Sequence, residues 1–558
     1  MGSMQTLLRQ YKDIQRPFRF LRYQFWNVTG VTQLAGYWPE LGPLEAIARR
    51  SPPSEFMMRE DGKRVLFFTF RYWNTHAVWD ALLAHALRQR GAHVSFFTCG
   101  GRLPVCDAAP HTLAPPMPCD NCAPYLDRLL STLRLPHQDA RDFITSAERA
   151  EIRHVIANLR PGECEGFEYD GLPLGQLVRP SVYWFLLSGN PEYNEEFFDA
   201  YRKFLYSGVV IARAIGRRLD AHRPAVLYLL NGLFFAERIA IEQARRRGIE
   251  FVAHEGGFFP DTQVFARNGF ASHYPVNDYW PRYAQRPLTP GEARRLDEYL
   301  AQRRRGQQDV SQYYPTIESD VAAIYRRLDL SQSSQVVTLY TNVDWDTACF
   351  AAGSIFASMD DWIEHTIRIV SNQNNTQLVI RIHPGEVRLP FLEPRVKVAE
   401  MIRRRFPQLP SNVRIVPPES DISSYTLMEF SALNLVYTST VGLEMVLRQR
   451  PILSAGRGYY TEKGFTRELT GLEEYEALLA RIGEIQPPTA QEVELARRYA
   501  SMFFFRHHIP FPLTRTDAGR LSLLFDHLNA LQPGREPMID LLCDAILQGK
   551  PFLYEGDL

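Results

Sequence analysis

Val65-Leu66-Phe67-Phe68-Thr69-Phe70 decides the class of fold. A run this apolar and this short predicts a strand buried on both faces, as in a parallel sheet covered by helices. Downstream, Trp79, Leu82, Leu83, Ala86 and Leu87 recur at helical spacing up to Gly91. His93-Val94-Ser95-Phe96-Phe97 then reads as a second strand. Strand, helix, glycine, strand is a βαβ unit.

The same grammar recurs along the chain. Gly208 to His222 reads as a helix, Ala225 to Leu229 as a strand, Phe235 to Arg247 as a helix, and Glu250 to Ala253 as a strand ending at His254-Glu255-Gly256-Gly257. Thr289-Pro290-Gly291-Glu292 is a capping box with proline at the first helical position. Beyond it, strands are expected at Gln335 to Tyr340, Gln377 to Ile382, Val413 to Val416, Leu433 to Tyr437 and Pro451 to Leu453. Helical pattern fills 347–373 and Gly442 to Arg448.

This predicts an α/β protein of two Rossmann-like domains facing a cleft, with an N-terminal arm and C-terminal helices. The expected boundaries are an arm over 1–60, a first Rossmann-like acceptor domain over 61–288 with a cysteine-containing insertion, and a linker helix over 289–332. A second, nucleotide-donor domain spans 333–488, and helices over 489–558 brace the two halves.

Composition narrows the function classes. The chain has 558 residues, 63 Lys plus Arg and 63 Asp plus Glu. Zero formal charge lacks the basic footprint of a nucleic-acid binder. No apolar run reaches membrane-spanning length, no signal peptide opens the sequence, and the cysteines do not suggest a secreted disulfide scaffold. The expected location is the cytoplasm. In the arm, Arg9, Lys12, Arg16, Arg19 and Arg22 interleave with Tyr11, Phe18, Phe20, Tyr23, Phe25 and Trp26. That pattern fits either a packed helix with a solvated basic face or peripheral contact with the inner face of a membrane.

Residues past strand ends line the crevice of such folds. Thr438-Ser439-Thr440 leads into a helix and Asn342 follows a strand, so both suit a phosphate site. Ser and Thr are also ordinary helix caps. Glu444 lies one turn on, where it could accept from ribose hydroxyls. Arg381 and His383 close another strand, with Pro384 holding His383 extended. Glu255, at the edge of the first domain, is placed as a general base for an acceptor hydroxyl. Cys99, Cys106, Cys119 and Cys122 fall close together, the last two as a CxxC. They could hold structural zinc or an iron–sulfur cluster, form a disulfide, or remain reduced thiols.

Glu255-Gly256, His383-Pro384 and Ser439-Thr440 together resemble the acidic-Gly, His-Pro and Ser-Ser/Thr motifs of bacterial sialyltransferases and related Kdo transferases, in that order. Tyr340 to Asp346, Tyr437 to Glu444 and Gly456 to Phe465 are similar to phrases of capsule polysaccharide biosynthesis proteins. The resemblance implies a GT-B glycosyltransferase with metal-independent catalysis. It implies a nucleotide-sugar donor, preferably a CMP-activated acidic sugar, and a glycan or glycolipid acceptor. Glu255 would be the base, with His254 sharing that role because it stands where the family has a second acid. His383, Ser439 and Thr440 would hold donor phosphate, Glu444 the ribose, and Arg457 and Lys463 would add positive charge. A UDP- or GDP-sugar or CDP-polyol-phosphate donor, and a non-catalytic scaffold of a polysaccharide export complex, are the competing readings.

Overall fold

The computed structural model describes residues 17–25, 28–29, 38–51, 60–101, 103–111, 117–304, 317–346, 353–389, 392–517 and 519–556. Arg9, Tyr11, Lys12, Arg16 and Trp26 of the arm lie outside them. The chain forms two compact units. One comprises Met1–Phe185, Tyr193–Tyr274 and His508–Tyr554, and the other Leu186–Glu192, Pro275–His507 and Glu555–Leu558.

The first unit is built on β1 (Arg64–Phe68), β2 (His93–Thr98), β3 (His137–Asp139), β4 (Val226–Leu230), β5 (Glu250–Gly256) and β6 (Thr262–Arg267). β1, β2, β4 and β5 are nearly or wholly buried over most of their length, as the apolar runs require of strands covered on both faces. β3, β2, β1, β4 and β5 pair in parallel in that spatial order, which is the 3-2-1-4-5 order of a Rossmann sheet. β6 turns back antiparallel on β5. Helices Asn74–Gln89, Glu195–His222 and Phe235–Arg245 are the main crossover segments. The long helix begins at Glu195, capped by Asn194, so it extends well upstream of the expected Gly208.

The second unit repeats the plan with β7 (Gln335–Tyr340), β8 (Thr376–Arg381), β9 (Val413–Val416), β10 (Leu433–Val436) and β11 (Ile452–Ser454). All five are parallel, in the order β9-β8-β7-β10-β11. This is again 3-2-1-4-5, so the chain holds two Rossmann-like α/β units. The helix Pro290–Arg304 starts on the expected box: Glu292 accepts from Thr289 N–H at 2.9 Å and Thr289 Oγ1 accepts from Glu292 N–H at 3.2 Å. The segment expected as a linker belongs to this unit, whose boundary falls at Tyr274/Pro275 rather than 288.

The C-terminal segment differs from the all-helical expectation. Helix Ala490–Met502 belongs to the second unit, but β12 (Ile509–Pro510) adds antiparallel to β6 in the first sheet. β13 (Thr514–Asp517) and β14 (Arg520–Leu523) form a small hairpin, and helix Pro537–Gln548 packs its apolar face into the first unit's core. Strands of two to four residues carry too few positions to display a period.

Candidate functional site

In an open α/β sheet, ligands bind beyond the carboxyl ends of the strands, where strand order reverses. In the second unit that point lies between β7 and β10. Asn342 follows β7 and Thr438 follows β10, and they are joined twice. Asn342 Nδ2 donates to Thr438 Oγ1 at 3.2 Å, and Thr438 N–H donates to Asn342 Oδ1 at 3.3 Å. Ser439 and Thr440 continue this loop, half-buried, into the helix Val441–Leu447. Thr440 occupies the N-cap position in a helical conformation and its side chain makes no capping bond. The Thr440 hydroxyl is therefore not spent on the cap that was its simplest explanation, and it lies within hydrogen-bond reach of Tyr459. Tyr460 packs beneath, its hydroxyl donating to Ser439 O at 3.0 Å. A Cβ on Gly442 would lie 2.0 Å from that hydroxyl oxygen, so only glycine fits there.

His383 lies past the end of β8. Its backbone N–H donates to Thr341 Oγ1 at 2.9 Å, and its Nδ1 accepts the Gly385 N–H at 3.0 Å. That bond fixes the neutral ring with its proton on Nε2. Burial, with Arg381 nearby, lowers its pKa to about 4, so the ring is neutral at pH 7. Arg381 itself is placed differently from expectation. Its guanidinium is buried and donates to Pro417 O at 2.8 Å, Ser420 O at 3.1 Å and Ser424 Oγ at 3.2 Å. It pins the 417–424 loop.

Glu444 also departs from its expected role. It is buried, and Arg303 Nε donates to its Oε1 at 3.0 Å, so the carboxylate is engaged inside the unit. Arg457 is largely exposed with Glu462 at 3.4 Å, and Lys463 donates to Asn277 Oδ1 at 3.0 Å. Both cations lie in the loop that follows β11.

Asp344 lies in the polar 342–346 stretch that follows β7. It accepts the Gly189 N–H at 3.0 Å and lines a cavity of about 170 Å³ with Asp360, Arg404 and Arg405. Burial pushes its carboxyl up to about 7.

In the first unit the reversal lies between β1 and β4. Arg71, just past β1, is buried and holds Glu237 with two bonds of 2.9 Å and Asp107 at 3.1 Å. Asn231, just past β4, orients the candidate base: its Nδ2 donates to Glu255 Oε2 at 2.9 Å while Gly256 N–H donates to Oε1 at 2.7 Å. Burial raises the Glu255 pKa, and these two donors work against the rise. Glu255 and His254 lie within β5, not beyond it, so their side chains point to opposite faces.

His254 takes the inward face. It is fully buried, stacked on Tyr228, with Nδ1 3.2 Å from Gln263 Nε2. Its Nε2 is 3.1 Å from Asp80 Oδ1, in ion-pair range but out of hydrogen-bond alignment. This packing suits support of the strand, and it places His254 away from any share in the base's role. The histidine that lies over the strand end is His76, in the first turn of Asn74–Gln89: a Cβ on Gly256 would stand 3.7 Å from its Cε1. Burial, reinforced by His254, pushes its pKa down to about 3. Asn231, Asp80 and His76 were not singled out beforehand; the Asn-Gly closing β4 was the available signal.

The four cysteines expected as a metal site lie in the first unit. Cys99, Cys106 and Cys119 are half-buried and Cys122 is buried. Burial and the neighbouring sulfurs push Cys106 up to about 12 and raise Cys119 and Cys122 as well. Among the described residues, no group of three or more His, Cys, Asp or Glu is arranged to hold a metal ion. No helix of the described residues is long and apolar enough to cross a membrane.

None of the curated proteins matches the chain. Among solved structures, the Thermosulfurimonas dismutans KpsC beta Kdo 2,4 transferase is similar at 15% identity over 55% of this chain and 87% of that one, TM-score 0.33. The beta Kdo 2,7 transferase of the same KpsC is similar at 13% identity over 51% and 79%, TM-score 0.30. UDP-GlcNAc 2-epimerase from Neisseria meningitidis aligns at 12% identity over 79% and 99%, TM-score 0.22. The family match covers Asn342, His383, Ser439, Thr440, Arg457 and Lys463 but neither Glu255 nor Cys99, Cys106, Cys119 and Cys122. Over residues 292–478, the chain matches the family described as capsule polysaccharide biosynthesis protein.

Proposed function

We propose that this protein is a glycosyltransferase of capsule or related surface-polysaccharide synthesis, with a nucleotide-activated sugar as donor and a glycan or glycolipid as acceptor. The observation that carries the reading is the Asn342–Thr438 pair at the strand reversal of the second sheet. It sits below a hydroxyl loop that its helix does not use as a cap, inside the family-matched segment. In this reading the second unit holds the donor. Ser439, Thr440 and loop N–H groups bind phosphate, His383 donates from Nε2 to the departing phosphate oxygen, and Arg457 and Lys463 neutralise its charge in place of a metal.

Glu255 acts as the base in the first unit. As the acceptor oxygen forms its bond to the anomeric carbon, the hydroxyl proton passes to Glu255. The bond from that carbon to the phosphate oxygen breaks, and the electron pair leaves with the nucleotide. A carboxylate raised by burial is better matched to this task than a solvated one. The motif set favours a CMP-activated acidic sugar such as Kdo or a sialic-acid-like sugar.

The test is a thermal shift against CMP, CDP, UDP and GDP. Ligand at a hundred times its Kd stabilises the folded state by about 2.7 kcal/mol. Selective stabilisation by CMP, lost in His383→Ala, is expected. A selective UDP or GDP shift would replace the donor, and no shift with any nucleotide would overturn the reading in favour of a scaffold.

A further inference from the structure

Helix 17–25 has two faces with opposite fates. Arg19, Arg22 and Tyr23, spaced i, i+3 and i+4, share the inward face. Arg19 clasps Asp120 with Nε at 2.6 Å and Nη2 at 2.7 Å, and Arg22 adds a bond of 3.3 Å. Tyr23 donates its hydroxyl to the Gly101 carbonyl. Asp120 is fully buried, so these contacts seat the helix firmly on the first unit. Of the arginines expected to meet lipid, Arg19 and Arg22 are thus spent inward.

Phe18, Leu21 and Phe25, spaced i, i+3 and i+7, form the outward stripe at 73%, 65% and 44% exposure, with Phe20 also exposed. Beside the helix lies a cavity of about 920 Å³. Tyr23 and Gln24 form its helix side, and Ile156 lies among its apolar residues. Its described cations are Arg153, Arg202 and Lys203, and its one described carboxylate, Asp199, is bonded to Lys203 at 2.5 Å. Arg153 stacks over Tyr206 at 5.9 Å.

An apolar aromatic stripe flanked by excess positive charge is the chemistry of an interfacial helix. We propose that helix 17–25 and the adjoining cationic cavity dock on an anionic phospholipid bilayer. Phe18, Leu21 and Phe25 enter the interface, and Arg153 and Arg202, with Lys203, meet headgroup phosphates. The flanking cations argue against a second copy of the chain as the occupant, since a two-fold contact would bring like charges together.

The experiment is co-sedimentation of the full chain with phosphatidylcholine vesicles, with and without phosphatidylglycerol. Binding to the anionic vesicles is expected, reversed by salt and lowered roughly tenfold or more by Arg153→Glu with Lys203→Glu. Phe18→Ser, Leu21→Ser and Phe25→Ser together should abolish it. These side chains are exposed, so an unchanged melting temperature reports that the triple variant is folded. Equal binding to neutral vesicles would overturn the proposal. So would unchanged binding by the triple variant, or a wild-type dimer in light scattering that the triple variant dissociates. The readout needs no nucleotide, so it stands or falls separately from the proposed transferase activity.

Discussion

Replacing Glu444 by alanine separates two incompatible roles for one carboxylate. Local sequence places Glu444 where it could hold a ribose; the structure places it against Arg303 at 3.0 Å, with the two residues 2% and 9% exposed. Arg303 has a second acceptor in the Tyr299 hydroxyl at 2.9 Å, which is neutral. Glu444→Ala therefore takes a buried carboxylate away from a buried guanidinium, a change that costs about 3–5 kcal/mol in comparable pairs. Against a domain stability of about 5–15 kcal/mol that is a large fraction. At about 2–4 °C per kcal/mol for a unit of this size, the melting temperature should fall by roughly 6–20 °C. Replacing both partners with methionine should restore most of the loss, because the uncompensated charge is gone. Calorimetry of the two single variants and the double variant measures this. Nucleotide titration of Glu444→Gln, which keeps an oxygen facing Arg303, should give near wild-type affinity. A Glu444→Ala protein that melts with wild type but binds nucleotide tenfold more weakly would refute the structural role and reinstate the ribose contact.

Two further outcomes follow from the first unit. Asn231→Ala removes a donor that favours the charged form of Glu255, so the Glu255 pKa should rise further and the acid limb of kcat/KM should move to higher pH; an unmoved limb would remove Asn231 from the positioning of the base. His85 is buried, with burial and Arg88 holding its pKa down to about 3 against an ordinary value of 6.5. A depressed histidine is protonated first in the unfolded chain, so stability should fall as pH drops below 6.5, by about 1.4 kcal/mol per pH unit until the folded value is reached. Denaturant titrations across that window should show a shallower slope in His85→Gln, and an identical slope would mean that His85 is already charged when folded.

How far the sequence reaches can be seen at particular residues. The buried strands announced themselves because a parallel strand covered on both faces needs an unbroken apolar run, and Val65 to Phe68, Val226 to Leu230 and Leu378 to Ile380 are such runs. Asn342, His383, Ser439 and Thr440 were legible as residues just past strand ends, because the strands before them could be read from their apolar runs. Their neighbours were not. His254 and Glu255 are adjacent in sequence, and a strand sends adjacent side chains to opposite faces, so one became core and the other remained at the strand end.

The sequence alone thus determined the long buried strands, the repeat of the βαβ plan and the strand-end loops that follow those strands, because periodicity and turn chemistry are local, while the short strands of the C-terminal segment stayed hidden. Only tertiary structure decided which polar side chains are free for chemistry. Glu444 is claimed by Arg303 from 141 positions away and Asp120 by Arg19 from 101, while Arg381 is claimed by carbonyls of the 417–424 loop. A buried charge must find its partner wherever packing delivers one, and that partner leaves no mark on the local pattern.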